Sequence, residues 1–383
     1  MKPYPLNIPT KVYFGRDIWR EAVKALEPFF RGNIMLVTTG RSLTRLGYVE
    51  ELAETIKKCP LAERVIIFDS VSANPRLSEV RKGIGSGKEN RVSVILGFGG
   101  GSALDAAKAI AAGMGIEEDI GALFYGRKEP GKNTLPVIAI PTTAGTGSEL
   151  SKAAIITDEQ TRKKGGIRGA ALYPKAAIVD SVFTDSIPLR VTMETGFDVF
   201  AHGMESYLSL AGSPYTRMQS EYGIQIVGKY LPRLFFDLED KEARDKLSFA
   251  SMIMGINLGN ASTCLVHRLQ YPLGAHTDTS HGAGLAALFP AWTSFEHRYA
   301  PHMVERGVSL LWGQDICGQQ ACMEKIRCFI EKLELPLSLK ALGVKRELLQ
   351  VMASEVTGNV KNDPASQEED IIMKLYTMSF DGH

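Results

Sequence analysis

This chain is short of the features that would place it early in a specialised class. No apolar run approaches the roughly 20 residues a helix needs to cross a bilayer. The start, Met1-Lys2-Pro3-Tyr4-Pro5-Leu6-Asn7-Ile8-Pro9, has no apolar core of the signal-peptide kind. A cytoplasmic location and no membrane partner follow as expectations. Cysteine is scarce: Cys59, Cys264, Cys317, Cys322 and Cys328 are odd in number and nowhere spaced CxxC, which excludes a disulfide frame or zinc knuckle and leaves reduced thiols. Neither sign of charge prevails. The 44 Lys and Arg are balanced by 43 Asp and Glu, and they are scattered, so the footprint of a nucleic-acid binder is missing. Internal repeats and low-complexity segments are absent too. Histidine is rare, with seven in 383 residues, and where those seven fall carries much of the functional reading.

What is present is a soluble globular composition, 44% hydrophobic and 23% charged, in a chain long enough for two domains. In the first half, apolar runs at 33–38, 64–68, 92–97 and 135–140 read as buried strands. Residues 42–57, with Leu43, Leu46, Val49, Leu52 and Ile56 on one face, read as an intervening helix, and another helix follows Asn74-Pro75. Strand alternating with helix predicts a largely parallel sheet covered on both faces, with ligands at the carboxyl ends of the strands. Glycines fall at those ends. After the third strand comes Phe98-Gly99-Gly100-Gly101-Ser102-Ala103-Leu104-Asp105, whose glycines admit close backbone approach and whose helix start, near Ser102, aims free N–H groups at the same point. That combination suits a pyrophosphate, although a tight structural turn would read the same way. After the fourth strand, Pro141-Thr142-Thr143-Ala144-Gly145-Thr146-Gly147-Ser148-Glu149 offers hydroxyls and small residues to a nucleotide. Ala177-Ile178-Val179-Asp180 closes this half, and the boundary is set at Ile187-Pro188, giving domains 1–187 and 188–383.

The second half reads as a helical bundle, with patterns at about 189–211, 214–235, 240–260, 261–271, 282–297, 319–333, 345–356 and 367–379. Within the first of these, Asp198 and His202 stand four apart and so share a face. Alone, they describe a helix ion pair or a core histidine as well as half of a metal site. Three of the seven histidines, His267, His276 and His281, fall in the stretch Leu265 to Gly282. His267 is expected near the end of a helix terminated by Pro272-Leu273-Gly274, and His281, after Ser280 as N-cap, at the start of the next. Asp198, His202, His267 and His281 would supply three neutral nitrogens and one anionic oxygen, a set suited to Fe²⁺ or Zn²⁺. His297, His302 and His383 read as surface residues.

Taken together, these motifs resemble those of the iron-containing (group III) alcohol dehydrogenases nearly end to end, from Tyr13-Phe14-Gly15 to the Gln367-Glu368-Glu369-Asp370-Ile371 helix. The resemblance rests on GGGSxxD (Gly99 to Asp105), on PTTAGTGSE (Pro141 to Glu149) and on the order Asp198, His202, His267, His281. It implies a dehydroquinate synthase-like architecture: a Rossmann-like α/β dinucleotide-binding domain followed by an all-α domain, with metal and substrate between them. It makes Asp198, His202, His267 and His281 the metal ligands, for Fe²⁺ or else Zn²⁺ or Mn²⁺. It also puts Gly99, Gly100, Gly101 and Ser102 at the pyrophosphate, and Asn74, Asp105, Thr142, Thr143, Thr146, Lys164 and Thr184 around the cofactor. Members that prefer NAD tend to carry Asp after the first strand. Here that position is Gly40, followed by Arg41 and Ser42, which favours a 2′-phosphate and predicts NADP(H).

One departure stands out. The histidine usual four residues after the third ligand is Tyr271 here, with His276 close by. Either His276 or Tyr271 takes over the proton relay, or proton exchange is weakened and the natural substrate is unusual; His276 could also be an ordinary loop residue. The resemblance implies reversible hydride transfer between nicotinamide and a small alcohol or aldehyde. It also implies a homodimer, with Tyr4 to Lys11 as a segment that could pair between chains. The rival readings are a zinc-dependent glycerol dehydrogenase-like enzyme, and a metal- and nucleotide-binding protein without activity.

Overall fold

The computed structural model describes residues 3–382. It divides into two units. One comprises Ile8–Thr143 and Gly147–Thr184, and the other comprises the chain from Asp185 onward together with the first few residues and Ala144–Thr146.

The first unit holds a six-stranded parallel sheet formed by β1 (Lys11–Gly15), β2 (Gly32–Thr39), β3 (Ala62–Val71), β4 (Val92–Gly99), β5 (Val137–Pro141) and β8 (Ala176–Asp180), in the order β1-β8-β5-β4-β2-β3. Alternation along the strands loads both faces. Met35, Val37 and Ile95 join one core with Ala106 and Ile110, while Ile34, Leu36, Leu96 and Phe98 join another with Trp19 and Phe183. The helices are α1 (Trp19–Ala25), α2 (Ser42–Arg45), α3 (Tyr48–Lys57), α4 (Leu77–Glu89), α5 (Gly101–Met114) and α6 (Gly121–Phe124). From β2 the chain moves outward to β3, and from β4 it moves the other way to β5. The direction therefore reverses between β2 and β4, which makes the carboxyl ends of those two strands the place where such sheets bind ligands.

Two differences from the sequence reading have local causes. The single helix expected over 42–57 is broken into α2 and α3, because Gly47 takes a left-handed conformation at φ 78°. A small antiparallel pair, β6 (Ala153–Asp158) with β7 (Lys163–Arg168), was not expected; the Lys163-Lys164-Gly165-Gly166 run carries no strand-like alternation of apolar residues.

The second unit is helical: α7 (Leu189–Leu208), α8 (Pro214–Phe236), α9 (Lys241–Asn260), α10 (Leu265–Thr277), α11 (His281–Tyr299), α12 (Pro301–Trp312), α13 (Gln319–Lys332), α14 (Leu348–Ser354) and α15 (Ile371–Asp381). α12 falls outside the expected set. α10 runs through Pro272 to Thr277 instead of ending there. Proline removes a single helix hydrogen bond, and in the same turn the Tyr376 hydroxyl donates to the Leu269 carbonyl at 2.6 Å. α7 is buried almost all round, so it is a core helix rather than an amphipathic surface one. Phe197 and Phe200 meet Phe289 of α11 with ring centroids 5.4 and 5.1 Å apart. The close crossing depends on Gly282, where any Cβ would lie 2.2 Å from the Glu194 carbonyl oxygen. This contact brings the first turn of α11, and with it His281, down onto the middle of α7.

Candidate metal centre and nucleotide loops

Burial sets the problem at the centre of the helical unit. Asp198 is 2% exposed, His202 4% and His267 2%. A carboxylate that deep must be answered by charge or hydrogen bonds. Three ring nitrogens face its Oδ1: His202 Nδ1 at 3.5 Å, His267 Nε2 at 3.2 Å and His281 Nε2 at 3.6 Å. The donor atoms of Asp198, His267 and His281 all lie within 4.8 Å of one another, a grouping found nowhere else among the described residues. His202 stands beside this trio, its ring stacked on His267 with centroids 4.3 Å apart.

These spacings suit a cation. In a tetrahedral site with bonds of about 2.1 Å, donor atoms are separated by about 3.4 Å. The far nitrogens are also fixed as in metal sites, where a second partner sets tautomer and ring direction. His267 Nδ1 bonds to Glu205 Oε2, and His281 Nδ1 is 2.6 Å from Gln270 Oε1. Glu205 is itself held by the backbone amides of Cys264 at 2.9 Å and His267 at 3.3 Å. The fourth ring shows what is missing, because His202 Nδ1 is buried without a hydrogen-bond partner.

The electrostatics agree. Burial opposes ionisation of Asp198, yet His202, His281 and His267 outweigh it and hold the carboxyl well below the usual range. Burial drives His202 down to about 4. Burial also opposes charge on His267, but Glu205 and Asp198 prevail and raise it to about 10. The Glu205 and Asp198 carboxylates thus favour positive charge at this point.

Glu205 and Gln270 were missed in the sequence, although both were accessible by spacing. Glu205 extends the Asp198–His202 stripe by three residues, and Gln270 lies three after His267. The two relay candidates are placed differently. At about 100° per residue, Tyr271 lies about 40° around α10 from His267, whereas His276 lies about half a turn away. His276 Nε2 is 2.7 Å from Glu355 Oε2, so the structure turns it to α14 rather than to the cluster. His297 likewise is no free surface residue: its Nε2 pairs with Glu305 Oε1 at 3.1 Å.

In the sheet unit, Gly40 follows β2 in the left-handed region (φ 63°) with open space where a Cβ would be, and Ser42 opens α2. Gly99 ends β4, Gly100 caps α5, and α5 begins at Gly101 with Ser102 next, one residue earlier than expected. Thr142 and Thr143 follow β5, and Thr142 N donates to the Gly99 carbonyl at 3.0 Å, tying the two loops together. Lys164 Nζ donates to Asn74 Oδ1 at 2.7 Å, so these two expected cofactor residues do meet. Thr146 belongs to the short segment that groups with the helical unit.

Two further expected cofactor residues make contacts within the chain. Asp105 accepts from Ser148 Oγ at 2.5 Å and Ile155 N at 2.9 Å and pairs with the fully buried Lys108 at 3.0 Å. Its carboxylate clamps α5 to the segment after β5. Thr184 is buried and donates its hydroxyl to the Ser181 carbonyl at 2.7 Å. Glu149, beside the clamp, is pushed up to about 7 by burial.

Comparison with known proteins gives a consistent picture. Residues 9–181 match the family model described as iron-containing alcohol dehydrogenase, and residues 192–380 match the C-terminal model of the Fe-containing alcohol dehydrogenase family. NADH-dependent butanol dehydrogenase A of Clostridium acetobutylicum is 30% identical over 94% of each chain. Sulfoacetaldehyde reductase of Bilophila wadsworthia is 26% identical over 97% of each. The crystal structure of the archaeal halo-thermophilic Red Sea brine pool alcohol dehydrogenase ADH/D1 superimposes with a TM-score of 0.93 at 25% identity, covering 99% of this chain and 100% of that one.

Proposed function

Because the chain belongs to the iron-containing alcohol dehydrogenase family, we propose that Asp198, His202, His267 and His281 hold one divalent cation in a nicotinamide-dependent alcohol dehydrogenase working reversibly on a small alcohol or aldehyde. The single observation that carries the ligand assignment is the convergence of three imidazole nitrogens, at 3.2–3.6 Å, on one buried carboxylate oxygen. When bound, the metal supplies Lewis-acid polarisation of the substrate oxygen and the nicotinamide supplies or accepts hydride. The chain's own residues do the rest. Glu205 and Gln270 hold His267 and His281 in one tautomer and one direction. Phe197, Phe200 and Phe289 pack on one another and so fix α7, which carries Asp198 and His202, against α11, which carries His281. Gly99 to Ser102 leave backbone N–H groups at a helix start for the pyrophosphate.

We assign the proton-relay position to Tyr271 rather than His276, on the helix angles given above. The pH–rate profile checks this: Tyr271→Phe is expected to alter it and His276→Ala to leave it in place, and the reverse pattern would overturn the assignment. For the cofactor, the end of β2 presents Gly40, Arg41 and Ser42 and no carboxylate, which supports acceptance of a 2′-phosphate. The Clostridium relative is named for NADH, so kcat/KM with NADPH against NADH is the deciding measurement. A higher value with NADPH is expected, and a strong preference for NADH would reject that part alone. β1 is an edge strand, and Tyr4, Leu6 and Ile8 are exposed, which supports a homodimer. A monomer by sedimentation would remove it.

The overall reading is tested by anaerobic metal analysis coupled to NAD(P)H oxidation with a panel of aldehydes. One metal per chain with turnover is expected, and protein that is fully loaded yet inert with every aldehyde would reject it. The relatives' names span butanol and sulfoacetaldehyde, so family membership leaves the charge of the substrate open.

A further inference from the structure

α10 carries His267 in its first turn, yet nothing next to it in sequence caps that turn. Its N-cap is Cys264, whose side chain makes no capping bond. The free N–H groups of a buried helix start need partners. Here two carboxylates from distant parts of the chain supply them. Glu205 of α7 takes the amides of Cys264 and His267. Asp363, 98 residues beyond Leu265, takes the Leu265 amide on Oδ2 at 2.9 Å.

Asp363 is fully buried, and its two oxygens have separate partners. Pro364 keeps the residue before it extended, at φ −89° and ψ 129°. Oδ1 accepts from the Ala365 amide at 3.0 Å, which fixes the side chain to its own turn. Oδ2 is left for the helices: besides the Leu265 amide, it accepts from Trp292 Nε1 of α11 at 2.8 Å. One oxygen thus joins the helix that carries His267 to the helix that carries His281. The preceding residue ties the same segment to α7. Asn362 is buried. Its Oδ1 accepts from Ser209 Oγ and Ala211 N, both at 3.1 Å and just past the end of α7, and its Nδ2 donates to the Ala261 and Thr263 carbonyls at 3.0 and 3.1 Å, just ahead of α10.

We infer that Asp363, on a segment that supplies no ligand, is a positioning residue for the metal site and sets how the first turn of α10 lies against α11. This rests on the ligand assignment above. Three ring nitrogens converge on Asp198 at 3.2–3.6 Å, and a constellation of this kind works only when held to about 0.5 Å. A small slide of the first turn of α10 therefore carries His267 out of range while the fold stands.

The test measures Co²⁺ affinity by chelator competition, with the visible absorption of the bound Co²⁺ as a second readout, in the wild type, Asp363→Ala, Asp363→Asn and Asn257→Ala. Asp363→Asn keeps an oxygen for Leu265 and Trp292 and is the conservative rescue. Asn257 is a buried control in the same unit: its Nδ2 donates to the Thr216 carbonyl at 2.9 Å and to Ser220 Oγ at 3.0 Å, tying α9 to α8, neither of which carries a ligand. Asp363→Ala loses about 10-fold in affinity, the lower end of the range for outer partners of metal ligands, and its Co²⁺ bands shift. Asp363→Asn restores both. Asn257→Ala lowers the urea midpoint and leaves affinity and spectrum as they are. Should Asp363→Ala fail to fold, Trp292→Phe, which removes the Nε1 donor alone, takes its place: a weaker and spectrally altered site supports the inference, and an unchanged one overturns it. Asp363→Ala that binds Co²⁺ as tightly as the wild type with the same bands, or Asn257→Ala that loses as much affinity, makes Asp363 a stabilising residue only and overturns the inference alone. A wild type that binds no Co²⁺ overturns the ligand assignment and this inference with it.

Discussion

Each unit of this protein buries a cluster of charged and polar side chains, and the two clusters are solved in opposite ways. In the sheet unit, Lys108 Nζ reaches Asp105, Ser148, Ser151 and two backbone carbonyls, and Asp105 uses both oxygens on neighbours. The chain supplies both signs of charge and the donors and acceptors they need. In the helical unit, one carboxylate faces three imidazoles, His202 Nδ1 is left without a partner, and outer groups hold two of the rings in place. The first arrangement is complete as folded. The second leaves a buried imidazole nitrogen that a cation would engage, and that residual demand is what separates a candidate binding site from a structural cluster.

The comparison breaks first at Asp198. Asp198→Asn removes the only anion among the proposed ligands, so metal content is expected to fall from about one per chain to near zero. Turnover should drop by about a thousandfold or more, the equivalent of about 4 kcal/mol of lost transition-state stabilisation. Elemental analysis and kcat on the same preparation check this. Lys108→Met is the counterpart in the sheet unit. It strands Asp105 and should cost about 3–5 kcal/mol of stability by chemical denaturation, with the metal content of the folded protein unchanged. Loss of metal in that variant would show that the two clusters are not independent. Glu205→Gln sharpens the picture at lower amplitude. The fold is kept and metal affinity falls about 10- to 100-fold, as for other second partners of ligating histidines, measurable by competition with a chelator.

An effect read through pH concerns Glu296 and Asp363, buried near one another with the Ala365 amide shared between them at 3.2 and 3.0 Å. Burial first, and then Asp363, push the Glu296 carboxyl far above its usual range, so it stays protonated in the folded state. The sign follows from linkage. A folded-state pKa above the unfolded value gives stability that is present below about pH 4.5 and lost as pH rises toward the folded pKa. Gln carries no such proton. Glu296→Gln should therefore gain stability relative to the wild type as pH rises from about 5 to 9, read from urea midpoints across that range. A constant difference would contradict a shared proton.

Much of this was legible in the sequence for identifiable reasons. The strands announced themselves because both faces of a parallel sheet are apolar, and the glycine loops because they follow those strands directly. Asp198 and His202 were readable from helical spacing, and His281 from its N-cap. What escaped depended on three-dimensional neighbours. Pro272 looks like a helix stop until packing holds α10 together around it. Asp105 sits in a nucleotide-like motif, and only the positions of Lys108 and Ser148 show that its charge is already used. His276 has the right chemistry for a relay, and only the fold shows that its Nε2 is already paired with Glu355.

Anomalous diffraction at the metal edge, from crystals of anaerobically purified protein, tests the central claim most directly. The account predicts a single peak within bonding distance of an Asp198 carboxylate oxygen and of ring nitrogens from His202, His267 and His281. A peak bound elsewhere, or metal-loaded crystals in which those rings hydrogen-bond only to Asp198 and to one another, would contradict it.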